Sequence, residues 1–448
     1  VDRIFTIGRN SLLFTMTPQS VTTVIFIYAP EYMPRGGAVL PPELLVLTGL
    51  HAPGVEAVIT RIRALDPDVA VLHHDLKDID RGTIRRRLHR GPDDVTTTIE
   101  LVHGCLSCTL REDLLPSLVE LAGPGGPRRI VLHLDPALEP EQVCWSLLHV
   151  PVDDRPVTDL VDLRGVVTCV DAGTWFSDAA GDDVLPDRSM AELPDDERTV
   201  AQVAVGQVEF ADLLVHTGTS DAWGLARTDA VLAKLAPAAG RVRLADLDRR
   251  VFLGADAARR GRPDDVHAPL LGGEPPLTGD CGIRLLLFSA RRPFHPERLH
   301  HAIDVLLDGV VRTRGRIWLA TRPEAVLWLE SAGGGLRVGH AGEWLDGAGD
   351  DAWEEASAQR RAIAALGWHT RFGDRAQDLV VITHAADPDE IDARLREALL
   401  TDAELAAGEE AWRALPDPFG WWHTDPCGTQ PVGNTEGDGV RGDPGRTT

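Results

Sequence analysis

Short apolar runs alternate with segments of helical period along the first half of this chain, and that alternation limits the fold more than any single motif does. The runs "ELLVLTG", "DVAVLHH", "RRIVLHL", "GVVTCVDA" and "DLLVHTG" each read as a buried strand. Helical patterns stand between them over Val55 to Leu65, after Leu110 and through "ERTVAQVAVGQVEFA", and "TTTIELV" adds a further strand. Strand, helix and strand in repetition predict an α/β fold. The sheet is mostly parallel with helices on both faces, and ligands bind at the carboxyl ends of its strands.

The pattern breaks at residues 248–280, where Arg, Gly, Asp and Pro accumulate as in a linker. From residue 281 a different rhythm begins. "GIRLLLFSA", "RGRIWLATRP", "AVLWLESAGGGLRVGHAG" and "QDLVVITHAA" are strands with Gly-rich turns, accompanied by helices over Pro296 to Leu307 and Pro388 to Leu400. This predicts a smaller α+β domain over 281–425. The expected organisation is thus an extension at 1–40, an α/β domain at 41–247, the linker, the α+β domain and a disordered tail at 426–448. The tail is Gly, Pro, Thr and Asp with few apolar residues.

A formal charge of −24 repels phosphate backbones and anionic lipid, so neither nucleic acid nor a membrane is an expected partner, whereas cations are. The six cysteines are scattered apart from Cys105 and Cys108, which argues against a disulfide framework and for a reducing cytoplasm. The apolar stretch from Val21 to Ala29 is too short to span a bilayer, and Met33, ahead of the first buried strand, is the expected start. Lys77 and Lys234 are the only lysines, and Asn10 and Asn434 the only asparagines. Motifs that need either residue elsewhere are therefore excluded.

In "LLVLTGLHAPGVEA", Gly49 and Gly54 keep the spacing of a phosphate-binding loop. Such a loop places Lys and then Ser or Thr after its last glycine, to neutralise phosphate oxygens and hold Mg²⁺. This chain has Val55 and Glu56, and Pro53 removes a backbone donor. A tight strand-to-helix turn with no ligand is the expectation, and the two glycines are its vestige. In "HGCLSC", Cys105 and Cys108 have the spacing of a Zn²⁺ half-site, and His103 can supply a third ligand. His73, His74 or His133 would be a fourth, while two reduced cysteines packed as small hydrophobes are the alternative. His295, His300 and His301 fit a surface helix better than a metal site, and Asp171 a cap or turn. The tryptophans at 318, 328, 344, 368, 412, 421 and 422 fit a core and a groove, with Trp421 and Trp422 as a candidate partner surface.

In order along the chain, "HGCLSCTLREDLLPSL", "GVVTCVDAGTW", "ERTVAQVAVGQVEFADLLV", "RPFHPERLH", "GRIWLATRP" and "WRALPDPF" resemble the CobW-type P-loop GTPases from about Leu44 to Asp417. That family is linked to metal insertion and trafficking, including zinc. The resemblance implies a P-loop NTPase-like sheet, a CobW C-terminal domain, GTP with Mg²⁺, and the metal motif Cys-x-Cys-Cys, whose middle thiol is Ser107 here. The guanine-reading motif departs as well: "HTGTSD" has Gly218 near the place of the lysine, and Asp221 lies one position late. "HLDPALEP" puts His133 at the place of the family's Glu. The expected function is zinc handling by a CobW-like protein whose nucleotide domain has lost GTP hydrolysis. A metal ion, a client metalloprotein, and a homo-oligomer or an active homologue are its expected partners. An active GTPase with an unusual loop and a structural pseudo-GTPase are the alternatives.

Overall fold

The computed structural model describes residues 3–7, 10–14, 25–26, 40–136, 138–188, 190, 196, 198–254, 270 and 275–419. Val1–Pro41 and Pro42–Thr448 are separate compact units. In the first, β1 (Arg3–Ile7), β2 (Asn10–Phe14) and β3 (Ile25–Phe26) form an antiparallel three-stranded sheet. The tail expected at 426–448, Trp421 and Trp422 lie outside the described residues, as does most of the expected linker.

The second unit opens with β4 (Glu43–Thr48), β5 (Ala70–Asp75), β6 (Thr83–Arg90), β7 (Asp93–Glu100) and β8 (Arg129–His133). After a two-rung hairpin of β9 (Pro151–Val152) and β10 (Arg155–Pro156) come β11 (Asp162–Asp171), β12 (Leu213–Thr217) and β13 (Gly240–Arg243). The eight-stranded sheet runs β13-β12-β11-β4-β8-β5-β6-β7, with the first six strands parallel and the last two antiparallel. Burial explains why β4 lies in the interior: Leu44 and Val46 enter one apolar cluster, Leu45 and Leu47 the other. The first cluster holds Leu115, Leu118, Val143 and Leu147 from helices Leu115–Leu121 and Pro140–His149. The second holds Val55, Val58, Ile59 and Ile62 from helix Ala52–Leu65, so each face of the strand has its own helical cover.

The sequence pattern shows one strand at "TTTIELV", whereas the structure pairs β7 with the preceding β6 as an antiparallel hairpin. The segment "TIRRRLHR" conceals a strand because its apolar residues, Ile84 and Leu88, are diluted by arginines, one strand in from the edge of the sheet. At 248–280 the packed part also runs further than expected, since Val251 and Phe252 are buried in the second cluster. Past the described gap, Lys234 Nζ donates to the carbonyls of Pro276 (2.5 Å) and Thr278 (3.1 Å), which fixes the return of the chain.

β14 (Arg284–Ala290), β15 (Val310–Ile317), β16 (Ala325–Ala332), β17 (Gly335–Glu343) and β18 (Gln377–Thr383) form a separate antiparallel sheet in the order β14-β18-β15-β16-β17. Trp318, Trp344 and Trp412 are core residues, His300 and His301 are exposed, and His295 is buried at the start of helix Pro296–Ala302. The two sheets are joined through helix Val200–Glu209. Its Ala201, Ala204 and Val205 share a cluster with Val311, Ala332 and Ile382 of the second sheet. At the end of this helix, Glu209 takes Arg312 bidentately at 3.2 and 2.9 Å, and Arg312 also reaches Glu330 at 3.1 Å. These carboxylates hold the buried Arg312 guanidinium well above its ordinary pKa against the opposing effect of burial. Removing one partner of such a pair leaves a charge buried without compensation. Arg312→Ala is accordingly expected to lower stability by about 3 kcal/mol in urea unfolding. An unchanged urea midpoint would show that the pair does not hold the sheets together.

Candidate functional site

The carboxyl ends of β4, β11 and β12 place three loops side by side. β4 leads through Gly49 and Leu50 to His51, which caps helix Ala52–Leu65, with Pro53 in the first turn where no intrahelical donor is needed. The N–H of Gly54 donates to His51 Nδ1 at 3.3 Å, and the same nitrogen lies 3.1 Å from Asp171 Oδ2. One ring nitrogen cannot accept from Gly54 and donate to Asp171 at once. The imidazole therefore chooses between capping the helix and pairing with the carboxylate.

Both glycines of the phosphate-loop spacing have reasons for being glycine that involve no phosphate. A Cβ on Gly54 would stand 2.5 Å from Thr217 Oγ1 and 3.1 Å from Cys169 Sγ. On Gly49 it would stand 2.8 Å from Cys169 Cβ and 2.9 Å from Val55 Cγ2. Val55 is buried in the core, so the place of the phosphate-binding lysine is apolar and turned inward. Asp171 Oδ1 accepts the N–H groups of Gly173 (3.0 Å) and Thr174 (3.2 Å), which confirms its turn role. Its other oxygen faces Gly218, where a Cβ, at φ +65°, would fall 2.2 Å from Asp171 Oδ2. Asp221 is a helix cap, with Oδ1 accepting from the N–H of Gly224 at 2.6 Å.

The thiol pair begins the helical run that follows β7. Cys105 is the cap of the first turn, its Sγ accepting from the N–H of Cys108 at 3.4 Å. The run contains a π-helical turn, Thr109–Leu114, before Leu115–Leu121 continues it. That turn carries Glu112, which accepts from the N–H of Val102 (3.1 Å), and Asp113, which holds His74 Nε2 (2.7 Å) and Arg86 Nη1 (2.9 Å). Gly104 is fixed by packing, because a Cβ there would lie 2.1 Å from the carbonyl oxygen of Ile79. Burial, the contact with Cys105 and the charge of Glu112 push the Cys108 thiol up to about 11, so a metal must displace its proton.

His103 is exposed, and its carbonyl accepts from the N–H of Cys105 at 2.9 Å. Among the described residues, no three His, Cys, Asp or Glu side chains are gathered where they could hold one ion. His74 is committed to Asp113 and its ring is held neutral by burial. His73 and His133 stack on each other, with centroids 4.1 Å apart, and His73 Nδ1 bonds the His133 carbonyl at 3.0 Å. Burial and the charges of His73 and Arg87 lower the pKa of His133 to about 3. The stacked pair lies in a small cavity with Glu56, Arg63, Arg87 and His89. Sequence reasoning missed the His51–Asp171 contact and this cluster; the one local signal was a His just ahead of "AP" at a helix start.

A cavity of about 330 Å³ opens at the opposite end of the sheet among Arg164, Asp212, Arg241 and Asp246. It borders Gly254, where the described chain breaks off, and is remote from the loops that carry the motifs.

Residues 46–239 match the family described as CobW/HypB/UreG, nucleotide-binding domain, and residues 283–399 the cobalamin synthesis protein cobW C-terminal domain. The zinc chaperone Rv0106 of Mycobacterium tuberculosis is 48% identical over 343 residues, which are 74% of this chain and 82% of that protein. The chain belongs to the CobW family. The zinc-regulated GTPase metalloprotein activator 1 of Dictyostelium discoideum is 28% identical over 338 residues, 72% of this chain and 70% of that one. The solved Zn(II)-bound YjiA GTPase from E. coli aligns over 81% of this chain and 100% of its own, at 16% identity and a TM-score of 0.34. Among the described residues, no helix of this CobW protein is long and apolar enough to cross a membrane.

The contact of Gly218 with Asp171 yields a test. Gly218→Lys, which puts a lysine back near the guanine-reading position, adds both a Cβ clash and a strained backbone. It is expected to lower stability by about 2 kcal/mol in thermal unfolding. Asp171→Ala in the same chain should relieve part of the loss. A Gly218→Lys protein as stable as the parent would refute this account of the loop.

Proposed function

We propose that this protein carries zinc as cargo on Cys105 and Cys108, with His103 as third ligand, for delivery to a client metalloprotein. Its nucleotide domain on this reading acts as a scaffold that has lost GTP hydrolysis. The observation that carries the zinc reading is that Cys105 and Cys108 stand in one turn at the start of a helical run, Cys105 Sγ accepting from the N–H of Cys108 at 3.4 Å. The names of the zinc chaperone and the zinc-regulated activator among its relatives point the same way. The ion would need the loop at 102–105 to swing His103 inward, or a ligand from the client to complete its shell. Because Cys108 is protonated at neutral pH, zinc uptake releases a proton, and affinity rises with pH until both thiols are ionised.

Against hydrolysis stand the same residues that shape the loop. A triphosphate with Mg²⁺ would meet buried Val55 where a cation is needed and Glu56 where a hydroxyl is needed. On the base side it would find a glycine pressed against Asp171. These residues do not fit the group, so no catalytic step is derived through it.

Competition against a chromophoric chelator tests the cargo site in the parent protein, Cys105→Ser, Cys108→Ser and His103→Ala. Each variant is expected to hold Zn²⁺ at least about tenfold more weakly, and the parent affinity should fall as pH is lowered. Equal affinity in all four proteins would leave the cysteines as packing residues.

Assay with Mg²⁺ and GTP is expected to give no phosphate release above background. Turnover typical of working GTPases that Gly54→Trp abolishes would overturn the scaffold reading.

A further inference from the structure

We propose that the C-terminal domain carries a docking pocket for an acidic segment of a partner protein, built on Arg291 and Arg360. The inference goes beyond the zinc reading and does not rest on it. The pocket, about 130 Å³, lies between the second sheet and helix Ala358–Leu366, and Arg291, Arg316, Arg360, Trp344, Asp374 and Asp378 contribute to its walls. It is smaller than the roughly 300 Å³ at which cofactor sites begin, and has room for a side chain rather than a nucleotide.

The charges in the pocket do not balance. Arg316 is matched by Asp378 at 3.3 Å. Asp374 spends its two oxygens on the N–H groups of Leu345 and Asp346, each at 2.9 Å. Among the described residues, Arg291 reaches only the carbonyl of Arg375, at 3.4 Å. Arg360 donates to the carbonyl of Glu343, while its Nε–H is sealed from solvent with no acceptor. Nearby Arg375, by contrast, is held by Asp346 and by Glu409 at 3.0 Å. Among the described residues no carboxylate pairs with Arg291 or Arg360, although Asp374 and Asp378 line the same pocket, in a chain with 69 acidic against 45 basic residues. A neighbouring glycine preserves the arrangement. Gly367 caps the helix at φ −92°, where any residue is allowed, yet a Cβ there would lie 3.1 Å from Arg291 Nη2.

The rim decides between oxyanion sources. Leu366 (90% exposed) and Trp368 (44% exposed) flank Gly367, and the Trp368 ring lies 5.7 Å from that of Trp353. A free phosphate would satisfy the guanidiniums and leave these apolar side chains bare. A long polyanion is repelled by the net charge of −24. A peptide in which a carboxylate stands beside a large apolar residue meets both features, with the carboxylate taken by planar N–H donors and the apolar side chain laid on Leu366 and Trp368.

Fluorescence anisotropy on the full chain tests this with a fluorescein-labelled Gly-Leu-Glu-Asp-Leu-Gly peptide and its Gln-Asn isostere. The acidic peptide is expected to bind about tenfold more tightly than the isostere. Arg291→Gln and Arg360→Gln should each remove the preference, and Leu366→Ser should weaken both peptides. Arg360→Glu should reverse it in favour of a Lys-Lys version of the peptide, a change that misfolding cannot produce. Equal binding of the acidic and isosteric peptides would overturn the proposal. So would displacement of the acidic peptide by inorganic phosphate as effectively as by the unlabelled peptide, which would leave a site for free oxyanions.

Discussion

The carboxylate of Asp171 ties together the three loops on which any reading of this protein turns. It closes its own turn through Gly173 and Thr174, meets the His51 cap of the first helix, and stands where a side chain on Gly218 would have to be. Each contact alone is an ordinary turn or cap feature. Together they bring the loops after β4, β11 and β12 into contact through one carboxylate. Val55 and Glu56 lie just beyond the first of these loops and Gly218 on the third, so the residues that depart from a phosphate-binding and base-reading pattern surround one carboxylate.

Much of the fold is legible in the sequence, for a reason specific to parallel sheets. Strands covered on both faces must be apolar throughout, so "LLVL", "VVTCV" and "LLV" stand out against any background. The strands next to the edge are harder to read. β6 sets Ile84 and Leu88 among arginines, and nothing in one dimension separates that from a charged loop until β5 and β7 are seen to pair with it. The site is less legible still. Gly49 and Gly54 keep a familiar spacing, yet their nearest obstacles are Cys169 and Thr217, more than a hundred residues further along. Spacing records that a glycine is needed; it does not record what it approaches. The stacking of His73 on His133 has the same origin, in a strand register invisible before the sheet is assembled.

Two demands meet around the thiol pair proposed to hold zinc. Cys105 is fixed as the cap of the first turn, whereas burial beside Cys105 and Glu112 drives Cys108 toward the neutral thiol. The π-helical turn at Thr109–Leu114 links these demands to the sheet, because Glu112 fastens the loop before the cysteines and Asp113 is anchored on His74 and Arg86. As proposed zinc ligands the two thiols are fixed in place by this frame, and Cys108 is costly to ionise. That combination suits an ion that must be taken up and released more than one that stays.

Near-exclusive use of arginine as the cation shapes the C-terminal domain in two ways. Where the guanidinium is fully matched, as Arg312 is by Glu209 and Glu330, it joins the second sheet to a helix of the first, since the planar fork can take two carboxylates while buried. Where it meets only backbone carbonyls, as at Arg291 and Arg360, the same geometry leaves donors that no carboxylate of the described chain takes. The two cases differ in how the nearby carboxylates are spent: Asp374 is taken by the N–H groups of Leu345 and Asp346, and Asp378 by Arg316. Two cations left unpaired beside them, next to a glycine that makes room for one and an apolar rim that nothing described covers, form a surface suited to a carboxylate from another molecule.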